Sequence, residues 1–511
     1  MTTRMATVTT RMATALFTRR FLVAAARNPV NVMMLVLVPV VFVVVADGAL
    51  ADAAELLGGK GGPATQTATA GWAAGFIAAI AMYFQVRAAR ATDRRLVLAG
   101  LAPARLVGAR MAAGLALALV AAAASLATLA ARTGIDNPGR AVAGTLMYAV
   151  IYLATGALIG ALVAGPVNGT VLILFVWILD VFFGAAFGSA DRVGTRALPT
   201  HFVTLWMTDL PSRHGGRIGD LGWSLAWTAA AITVSWTVIT RTSRIARPRR
   251  RSAPGSVVYQ LTTGVRMGLR EVGRNRVLWA LLVAVPTVFV LLTVPTTPKH
   301  YQTLALPEAG RTITVRFWFP DTHPGFMAPT AIASLAALVG LFTVLDARSA
   351  DRRLALAGFR PGPLLASRLA TIAFSALLTT AVSLAVTAAV FDARQWGLYI
   401  AANTLIALTY GLIGVLIGSL LGRVGGVFIA FLIPFLDLGI EQSPMLNPEL
   451  SALAHATPGY GASRVLYDAA LTPSFDETGP LLIAFAWLGG LLLAAVVLFR
   501  HTAAPSRHAP H

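Results

Sequence analysis

The sequence contains no cysteine among its 511 residues, and this absence removes several kinds of chemistry. Neither a disulfide framework, a thiolate metal site nor a cysteine nucleophile is available. Charged residues are also scarce, at 12% of the chain. What fills the sequence instead is apolar, because hydrophobic residues make up 57% and the mean hydropathy is +0.72. Soluble domains carry about a quarter charged residues, so lipid is the expected solvent for much of this chain.

Catalytic and nucleotide-binding motifs are missing as well. The run Gly58-Gly59-Lys60-Gly61 lacks the Ser or Thr that follows the lysine of a phosphate-binding loop. No H-E-x-x-H motif occurs, and the eight histidines lie in predicted outer segments or in the tail. We therefore expect no catalytic residue, no metal site and no bound cofactor. A lipid-modifying transferase stays open as an alternative, since outer Asp and His residues distant in sequence can meet in a fold.

Twelve stretches approach the roughly 20 mostly apolar helical residues that a bilayer requires. Unpaired backbone groups are too costly in hydrocarbon, so we predict helices. The first half provides Val30–Ala46, Gly71–Val86, Met111–Ala131, Ala141–Ala164, Thr170–Phe187 and Leu221–Thr240. The second half provides Val277–Val294, Ala328–Leu345, Leu369–Val390, Leu398–Leu421, Val427–Ile440 and Pro480–Phe499. The predicted fold class is an all-α polytopic membrane protein.

Arginine is concentrated in alternate loops, and this asymmetry predicts the orientation. Arginine clusters precede the first span, follow the second, and occupy the central linker and the matching loops of the second half. Loops rich in Arg and Lys remain cytoplasmic. We therefore expect a multi-pass protein of the cell (plasma) membrane with both termini cytoplasmic. The linker cluster at residues 247–251 is better explained by anionic lipid than by nucleic acid, so no nucleic-acid partner is expected.

The second half of the chain repeats the first. Residues 90–100, RATDRRLVLAG, are echoed by residues 348–358, RSADRRLALAG, at an offset of 258. Fourth-span glycines and a fifth-span aspartate recur at nearly the same offset: Gly156, Gly160 and Asp180 match Gly414, Gly418 and Asp437. This predicts two tandem, pseudo-symmetric six-helix halves, residues 1–250 and 251–511, related by an axis along the membrane normal. A substrate route between the halves is the expected consequence.

Each half begins with a basic segment that carries spaced apolar residues, at about 9–28 and 260–275. Such segments favour interfacial amphipathic helices that lie along the inner leaflet with Arg toward anionic headgroups. A frayed basic tail is the alternative. On the outer side, residues 300–319 alternate polar and apolar residues around Pro307-Glu308-Ala309-Gly310, which predicts a small external β-hairpin.

These features together resemble the ABC-2 type permeases, the membrane subunits of ATP-driven exporters. The resemblance rests on the lead-in ending Arg27-Asn28-Pro29, Pro39 in the first span, the basic loop with Gly100 and Pro103, and the glycine-rich fourth span. It includes long outer segments after the fifth and eleventh spans, with a proline followed by polar and aromatic residues at 197–202 and 456–460. Two tandem copies of this pattern together cover nearly the whole chain, so the chain resembles fused permeases of the polyketide-antibiotic or multidrug exporter kind. The chain departs from the family where Asp93-Arg94-Arg95 replaces a more acidic, Gly-Thr-containing stretch.

The resemblance implies that the chain forms the translocation pathway for an amphipathic or hydrophobic substrate, such as an antibiotic, a drug or a lipid-like molecule. It further implies that ATP is hydrolysed by a separate cytoplasmic ATP-binding-cassette ATPase, expected to be a homodimer. The implied docking residues lie in the two basic loops: Asp93, Arg94, Arg95, Asp351, Arg352 and Arg353. For these arginines, control of topology alone is the alternative.

The main competing function is a proton-coupled secondary transporter of the major-facilitator type. Such transporters also have twelve spans in two parallel halves, and they carry a G-x-x-x-D-R-x-G-R-R-like motif between spans two and three. Here Ala89 and Ala347 stand where the leading glycine belongs. Outer segments of about 30 to 40 residues after the fifth and eleventh spans also favour the ABC-2 interpretation.

Charged residues inside the predicted spans are few, and Asp180 and Asp437 stand out. An acid within a membrane is costly unless it faces a cavity, binds a cation or is protonated. Pro434 interrupts the short eleventh span, a feature that can mark a binding site. We expect both acids to line the substrate route together with aromatic neighbours: Phe175, Trp177, Phe182, Phe183, Phe431 and Phe435. Alternatively, the acids reach the outer interface and the aromatic residues pack against lipid or other helices.

Overall fold

The computed structural model describes residues 15–27, 29–56, 62–98, 101–163, 165–186, 193–210, 213–242, 262, 265–270, 273, 276–297, 299–308, 310–356, 361–444, 446 and 450–503. The chain divides into two compact units, Met1–Arg249 (unit 1) and Arg250–His511 (unit 2). Helices form nearly all of the described structure, with one two-stranded sheet in unit 2. The predicted all-α polytopic class is confirmed.

Unit 1 is a bundle of helices, several of which begin at a proline. Its helices are α1 (Ala15–Ala26), α2 (Pro29–Leu56), α3 (Gly62–Leu98), α4 (Pro103–Arg132), α5 (Pro138–Leu162), α6 (Pro166–Phe183), α7 (His201–Met207) and α8 (Ile218–Thr242), with a 3₁₀ turn at Val193–Ala197. Proline suits the first turn of α4, α5 and α6 because its φ is already helical and no N–H is lost from the ladder.

Unit 2 has the same kind of bundle, plus the hairpin. Its helices are α9 (Arg276–Thr296), α10 (Phe319–Leu356), α11 (Pro361–Thr387), α12 (Trp396–Pro434), α13 (Ala452–Ala456), α14 (Tyr460–Leu471) and α15 (Thr478–Ala503), with a π turn at Phe435–Glu441. The predicted hairpin is present, as β1 (Tyr301–Glu308) paired antiparallel with β2 (Arg311–Trp318). The turn is tighter than predicted, because Pro307 pairs with Thr312 inside the ladder and only the tip, with Gly310 at φ 75°, turns the chain.

Within the described residues, nine helical stretches are long and apolar enough to cross a membrane. Eight of the predicted spans each coincide with one of them, and two share the ninth, Trp396–Glu441. The two remaining predicted spans lie in α2 and α9, which are not among the nine on their own. Pro29–Val45 passes the same test together with α1, to which it is bent by 83°.

The stretch Trp396–Glu441 is a helical hairpin and not one span. A straight helix of its 46 residues would measure about 69 Å, twice the hydrocarbon thickness. Gly422 breaks the helix with φ 72° and ψ −157°, a conformation that suits only glycine. On either side of it, Tyr410 Oη lies 2.5 Å from Asp437 Oδ2, and a Cβ on Gly426 would lie 3.6 Å from Ile417. The two arms therefore run antiparallel, and they correspond to predicted spans ten and eleven.

Small residues let the central helices of each unit approach closely. In unit 1, Gly160 of α5 lies so near α3 that a Cβ would sit 3.0 Å from the Tyr83 carbonyl, and a Cβ on Gly156 would overlap the Ala79 carbonyl. In unit 2, a Cβ on Gly418 would lie 2.9 Å from the Leu341 carbonyl. Gly156 and Gly160, and likewise Gly414 and Gly418, have the G-x-x-x-G spacing that favours close packing of membrane helices.

The predicted basic loops are mostly helical, which corrects the sequence analysis. Helix α3 continues to Leu98 and α4 starts at Pro103, so the loop between them is short; α10 likewise continues to Leu356 and α11 starts at Pro361. Of the predicted interfacial segments, 15–27 is described and mainly helical, and 265–270 is a helical turn. The remaining parts of those segments, including 9–14 and Asn28, lie outside the described residues apart from Thr262 and Gly273.

Candidate functional site

Asp180 lies near the end of α6 and is buried, with 3% exposure. Tyr152 of α5 donates its hydroxyl to Asp180 Oδ2 at 2.8 Å. Thr200 donates to the same carboxylate through both its hydroxyl and, at 3.4 Å, its backbone N–H. The acid therefore ties α5 and α6 to the start of α7. Because the carboxylate oxygens are occupied by donors, its burial is tolerable.

Asp437 occupies the corresponding place in unit 2, within the π turn that follows α12, and is 4% exposed. Tyr410 donates to its Oδ2 at 2.5 Å, and the backbone N–H of Gly459 donates to the same atom at 2.8 Å. Its Oδ1 is buried and has no hydrogen-bond partner among the described residues. We name each set of donors with its carboxylate the acid latch: Tyr152, Asp180 and Thr200 in unit 1, and Tyr410, Asp437 and Gly459 in unit 2.

The acid latch has the same design in each unit. A tyrosine of the fourth span and a donor from the segment after the fifth span hold one buried carboxylate. Sequence reasoning identified the acids but missed their partners. Tyr152 and Tyr410 stand 258 residues apart, the offset of the repeat, and this was the signal that could have revealed them.

Some of the aromatic residues predicted to line the substrate route are buried in the helix bundle, and others are partly exposed. Trp177 is buried, donates its ring N–H to the Trp72 carbonyl at 3.0 Å, and packs against Phe42 and Phe76 with ring centroids 5.6 and 5.1 Å away. Three phenylalanines of unit 1 are partly exposed: Phe175, Phe182 and Phe183. In unit 2 the rings of Phe431 and Phe435 stack with their centroids 5.9 Å apart. A role in a substrate route stays a prediction for this set.

The predicted docking acids are engaged within their own units at the Arg-rich end. Arg110 of α4 forms a two-bond ion pair with Asp93 of α3, with its Nε 2.7 Å from Asp93 Oδ2. Arg368 of α11 pairs with Asp351 of α10 at 2.7 Å. These ion pairs clamp neighbouring helix ends, so the acids are not exposed for a partner. Arg95 and Arg353 are exposed, Arg94 is half-buried, and the side chain of Arg352 lies outside the described residues.

The Arg110–Asp93 ion pair, which we call the clamp of unit 1, also contacts α1 through Arg110. The Arg110 guanidinium lies 4.2 Å from the centre of the Phe21 ring, and Thr18 donates to the Ala109 carbonyl at 3.3 Å. Cation–π contacts of this kind are worth about 0.5–1 kcal/mol at exposed sites and more when desolvated. Arg110 therefore links α1 to the ends of α3 and α4, and the Thr18 bond adds a second contact to α4.

Two further arginines cap the glycine-rich helices, and sequence reasoning missed them. Arg90 of α3 donates to the Gly160 carbonyl on α5, and Arg348 of α10 donates to the Ser419 carbonyl on α12 at 2.6 Å. Arg423 adds an ion pair to Asp346 at 2.9 Å. The last carbonyls of a helix lack internal partners, so Arg90 and Arg348 supply the missing hydrogen-bond donors at these helix ends.

Residues 69–241 match the family model of the ABC-2 family transporter protein. This match spans most of α3 and nearly all of α8, and it includes the Asp180 acid latch and the Arg110 clamp. The match covers about a third of the chain and lies within unit 1. The resemblance to ABC-2 type permeases is thus confirmed over these residues, and the apolar helices are those of a multi-pass membrane protein. No curated protein matches the chain.

Within the described residues, no group of three or more His, Asp or Glu side chains is arranged to hold a metal ion.

Proposed function

We propose that the chain is the membrane-spanning permease subunit of an ATP-binding-cassette exporter. The observation that carries the proposal is the match of residues 69–241 to the ABC-2 transporter family, set within a bundle of apolar helices. The family works as a transport component, so the energy would come from a separate cytoplasmic ATPase, for which we propose a homodimer. The proposed location is the plasma membrane, with both termini cytoplasmic.

The proposed docking surface lies at the clamped helix ends, where Arg95 and Arg353 are exposed. The Asp93–Arg110 and Asp351–Arg368 ion pairs hold these ends in a fixed geometry. Arginine presents a rigid fork that matches carboxylates, so acidic groups on the ATPase are the complementary partners. Movement imposed here would reach α1 through Arg110.

The proposed substrate is amphipathic or hydrophobic, such as an antibiotic, a drug or a lipid-like molecule. Support comes from the partly exposed aromatic residues beside each acid latch, Phe182 and Phe435 among them. Opening of the tyrosine–aspartate bonds during transport would present a carboxylate next to these rings. The recurrence of the latch at repeat-matched positions supports a duplicated permease, in which one chain supplies both membrane halves.

The test is export by cells that express the chain with an ATPase encoded beside it. Export should stop when the phosphate-binding lysine of the ATPase is replaced, and it should continue in the presence of a protonophore. The opposite pattern would mean a proton-coupled secondary transporter and would refute the proposal.

A second measurement tests the docking surface. The double variant Arg95→Glu/Arg353→Glu should lose co-purification of the ATPase because it would bring like charges together. The matched control is Arg311→Glu, an exposed arginine on β2 of the hairpin. If both variants retain the ATPase equally, the docking surface is elsewhere.

A further inference from the structure

The acid latch of unit 2 leaves one oxygen without a donor. Asp437 Oδ1 is buried and accepts no hydrogen bond from the described residues, whereas both carboxylate oxygens of Asp180 accept bonds in unit 1. The described donors to Asp437, the Tyr410 hydroxyl and the Gly459 N–H, are uncharged. A buried carboxylate without a positive partner is costly within a membrane. The latch of unit 2 therefore lacks a counter-charge among its described contacts.

Two further buried oxygens without partners lie on α10. Thr330 and Ser334 are each 5% exposed, and neither hydroxyl has a hydrogen-bond partner among the described residues. They are four residues apart, so they lie on one face of the helix. This face meets the π turn that holds Asp437, because a Cβ on Gly439 would lie 3.8 Å from the methyl carbon of Thr330.

The repeat places the same two hydroxyls at the level of the latch. In unit 1, a Cβ on Gly75 of α3 would lie 2.9 Å from the ring of Tyr152, so α3 borders the latch at this position. The matching residue of α10 at the offset of 258 is Ala333, and Thr330 and Ser334 flank it. The same offset relates the glycine contacts of α3 and α10 described above.

Unit 1 has aromatic rings where unit 2 has these hydroxyls. Thr330 and Ser334 correspond to Trp72 and Phe76, which are each 1% exposed. The Phe76 ring packs against Trp177, three residues before the acid of its latch. Such a wall is apolar, and it offers no hydroxyl oxygen to a ligand. The exchange of two rings for two hydroxyls thus occurs in the unit whose acid is incompletely paired.

The π turn ends at another buried acceptor without a donor. The backbone N–H of Gln442 donates to the Asp437 carbonyl at 2.8 Å. Its side-chain amide donates to the Ala454 carbonyl at 2.8 Å and to Thr457 Oγ1 at 3.0 Å. Its Oε1 has no hydrogen-bond partner among the described residues. Local π geometry in a helix is frequent at functional sites. A positively charged ligand would suit unpaired oxygens of this kind.

We propose that unit 2 binds a small monovalent cation such as Na⁺ between α10 and the π turn. Asp437 Oδ1 supplies the negative charge, and the hydroxyls of Thr330 and Ser334 supply neutral oxygen ligands, which hard cations prefer. One carboxylate balances one positive charge, so a divalent ion would leave a net charge buried in the membrane. Such a site needs a single acid and is compatible with the lack of a His, Asp or Glu cluster among the described residues. The site does not depend on the transport function proposed above.

The test compares the melting temperature of the purified full-length chain in sodium chloride and in choline chloride at equal ionic strength, in neutral detergent. Sodium should raise the melting temperature in a saturable manner, because a ligand that binds only the folded state stabilises it. The bulky choline ion is the control for ionic strength. Equilibrium binding of radioactive sodium should saturate at one ion per chain.

The double variant Thr330→Val/Ser334→Ala removes both hydroxyls and leaves the bonds of the acid latch in place. The sodium concentration for half of the effect should rise about tenfold or more, since an interaction with a charged group is lost. In choline chloride the variant should melt no lower than the parent, because a buried hydroxyl without a partner is itself a cost.

Two controls separate ligation from packing. Thr330→Ser keeps the hydroxyl and should keep the sodium response. Thr170→Val removes a buried hydroxyl of α6 that also has no hydrogen-bond partner among the described residues, and it should leave the response unchanged.

Three outcomes would overturn the proposal. The first is an equal melting temperature in the two salts together with no saturable binding of sodium by the parent protein. The second is an unchanged half-saturation in a double variant that melts as a folded protein. The third is a melting temperature that responds to pH but not to sodium, which would mean that Asp437 carries a proton in place of a metal cation.

Discussion

Removal of the tyrosine hydroxyl from an acid latch should have a measurable and unequal effect in the two units. A hydrogen bond to a charged group contributes about 1.5–3 kcal/mol, while bonds between membrane helices average about 0.6 and reach about 1.7 kcal/mol. In Tyr152→Phe, Asp180 keeps both bonds from Thr200, so we expect a loss of about 1–2 kcal/mol. In Tyr410→Phe, Asp437 keeps the Gly459 N–H but its Oδ1 already has no partner among the described residues. The cost there should be larger, about 2–3 kcal/mol.

The assay is reversible unfolding of the purified chain in mixed detergent, with a double-mutant cycle in each unit. Combining Tyr152→Phe with Asp180→Asn should give a coupling energy of about 1 kcal/mol or more, because the two residues are in direct contact. Tyr83→Phe is the matched control, since that hydroxyl donates at 2.9 Å to the uncharged carbonyl of Gly165 and should cost about 0.6 kcal/mol. A coupling energy below about 0.3 kcal/mol would refute the latch.

Three further predictions follow from packing, the clamp and burial. Gly156→Ala should sharply reduce the yield of monodisperse protein in size-exclusion chromatography, because its Cβ would overlap the Ala79 carbonyl, whereas Gly139→Ala, with nothing within 4 Å, should not. Arg110→Gln leaves Asp93 half-buried without its cation and should cost about 3 kcal/mol in the same unfolding assay, against less than about 0.5 for the exposed Arg105→Gln. Burial raises the pKa of Asp468 on α14 above its unfolded value of about 3.9, so its stabilising contribution is present at low pH and is lost as the pH rises through the folded pKa. The melting temperature should therefore fall as the pH is raised from about 4 toward 7, and Asp468→Asn should flatten that slope; an equal slope in both proteins would contradict this.

The positions of the membrane helices were predictable because hydrophobic length is a property of one segment. Partners across the bundle were not, because a tyrosine in an apolar helix is consistent with many environments. Tyr152 and Tyr410 became latch residues only once α5 was placed beside α6, and the arms of α12 beside each other. The same holds for Arg110, which a topology rule explains without reference to Asp93.

The helical ends of α3 and α10 show where a charge pattern misled the prediction. The arginines at residues 87–95 predict a loop, because charge marks the membrane boundary. Yet after Gly75 no glycine or proline interrupts the sequence until Gly100, and a helix has no reason to stop at the boundary itself. Attention to helix breakers would have predicted the continuation to Leu98, and likewise to Leu356 ahead of Gly358 and Pro361.

The bend at Gly422 has a consequence for biosynthesis. Its two arms are joined without an intervening polar loop, so the ribosome delivers both to the translocation channel almost together. Each arm carries polar groups whose partners lie on the other, as Tyr410 and Asp437 do. Lateral release of the first arm alone would leave such a group facing acyl chains. The pair should therefore leave the channel as one preassembled element, and a bulkier residue at position 422 should lower the amount of protein that is integrated into the membrane.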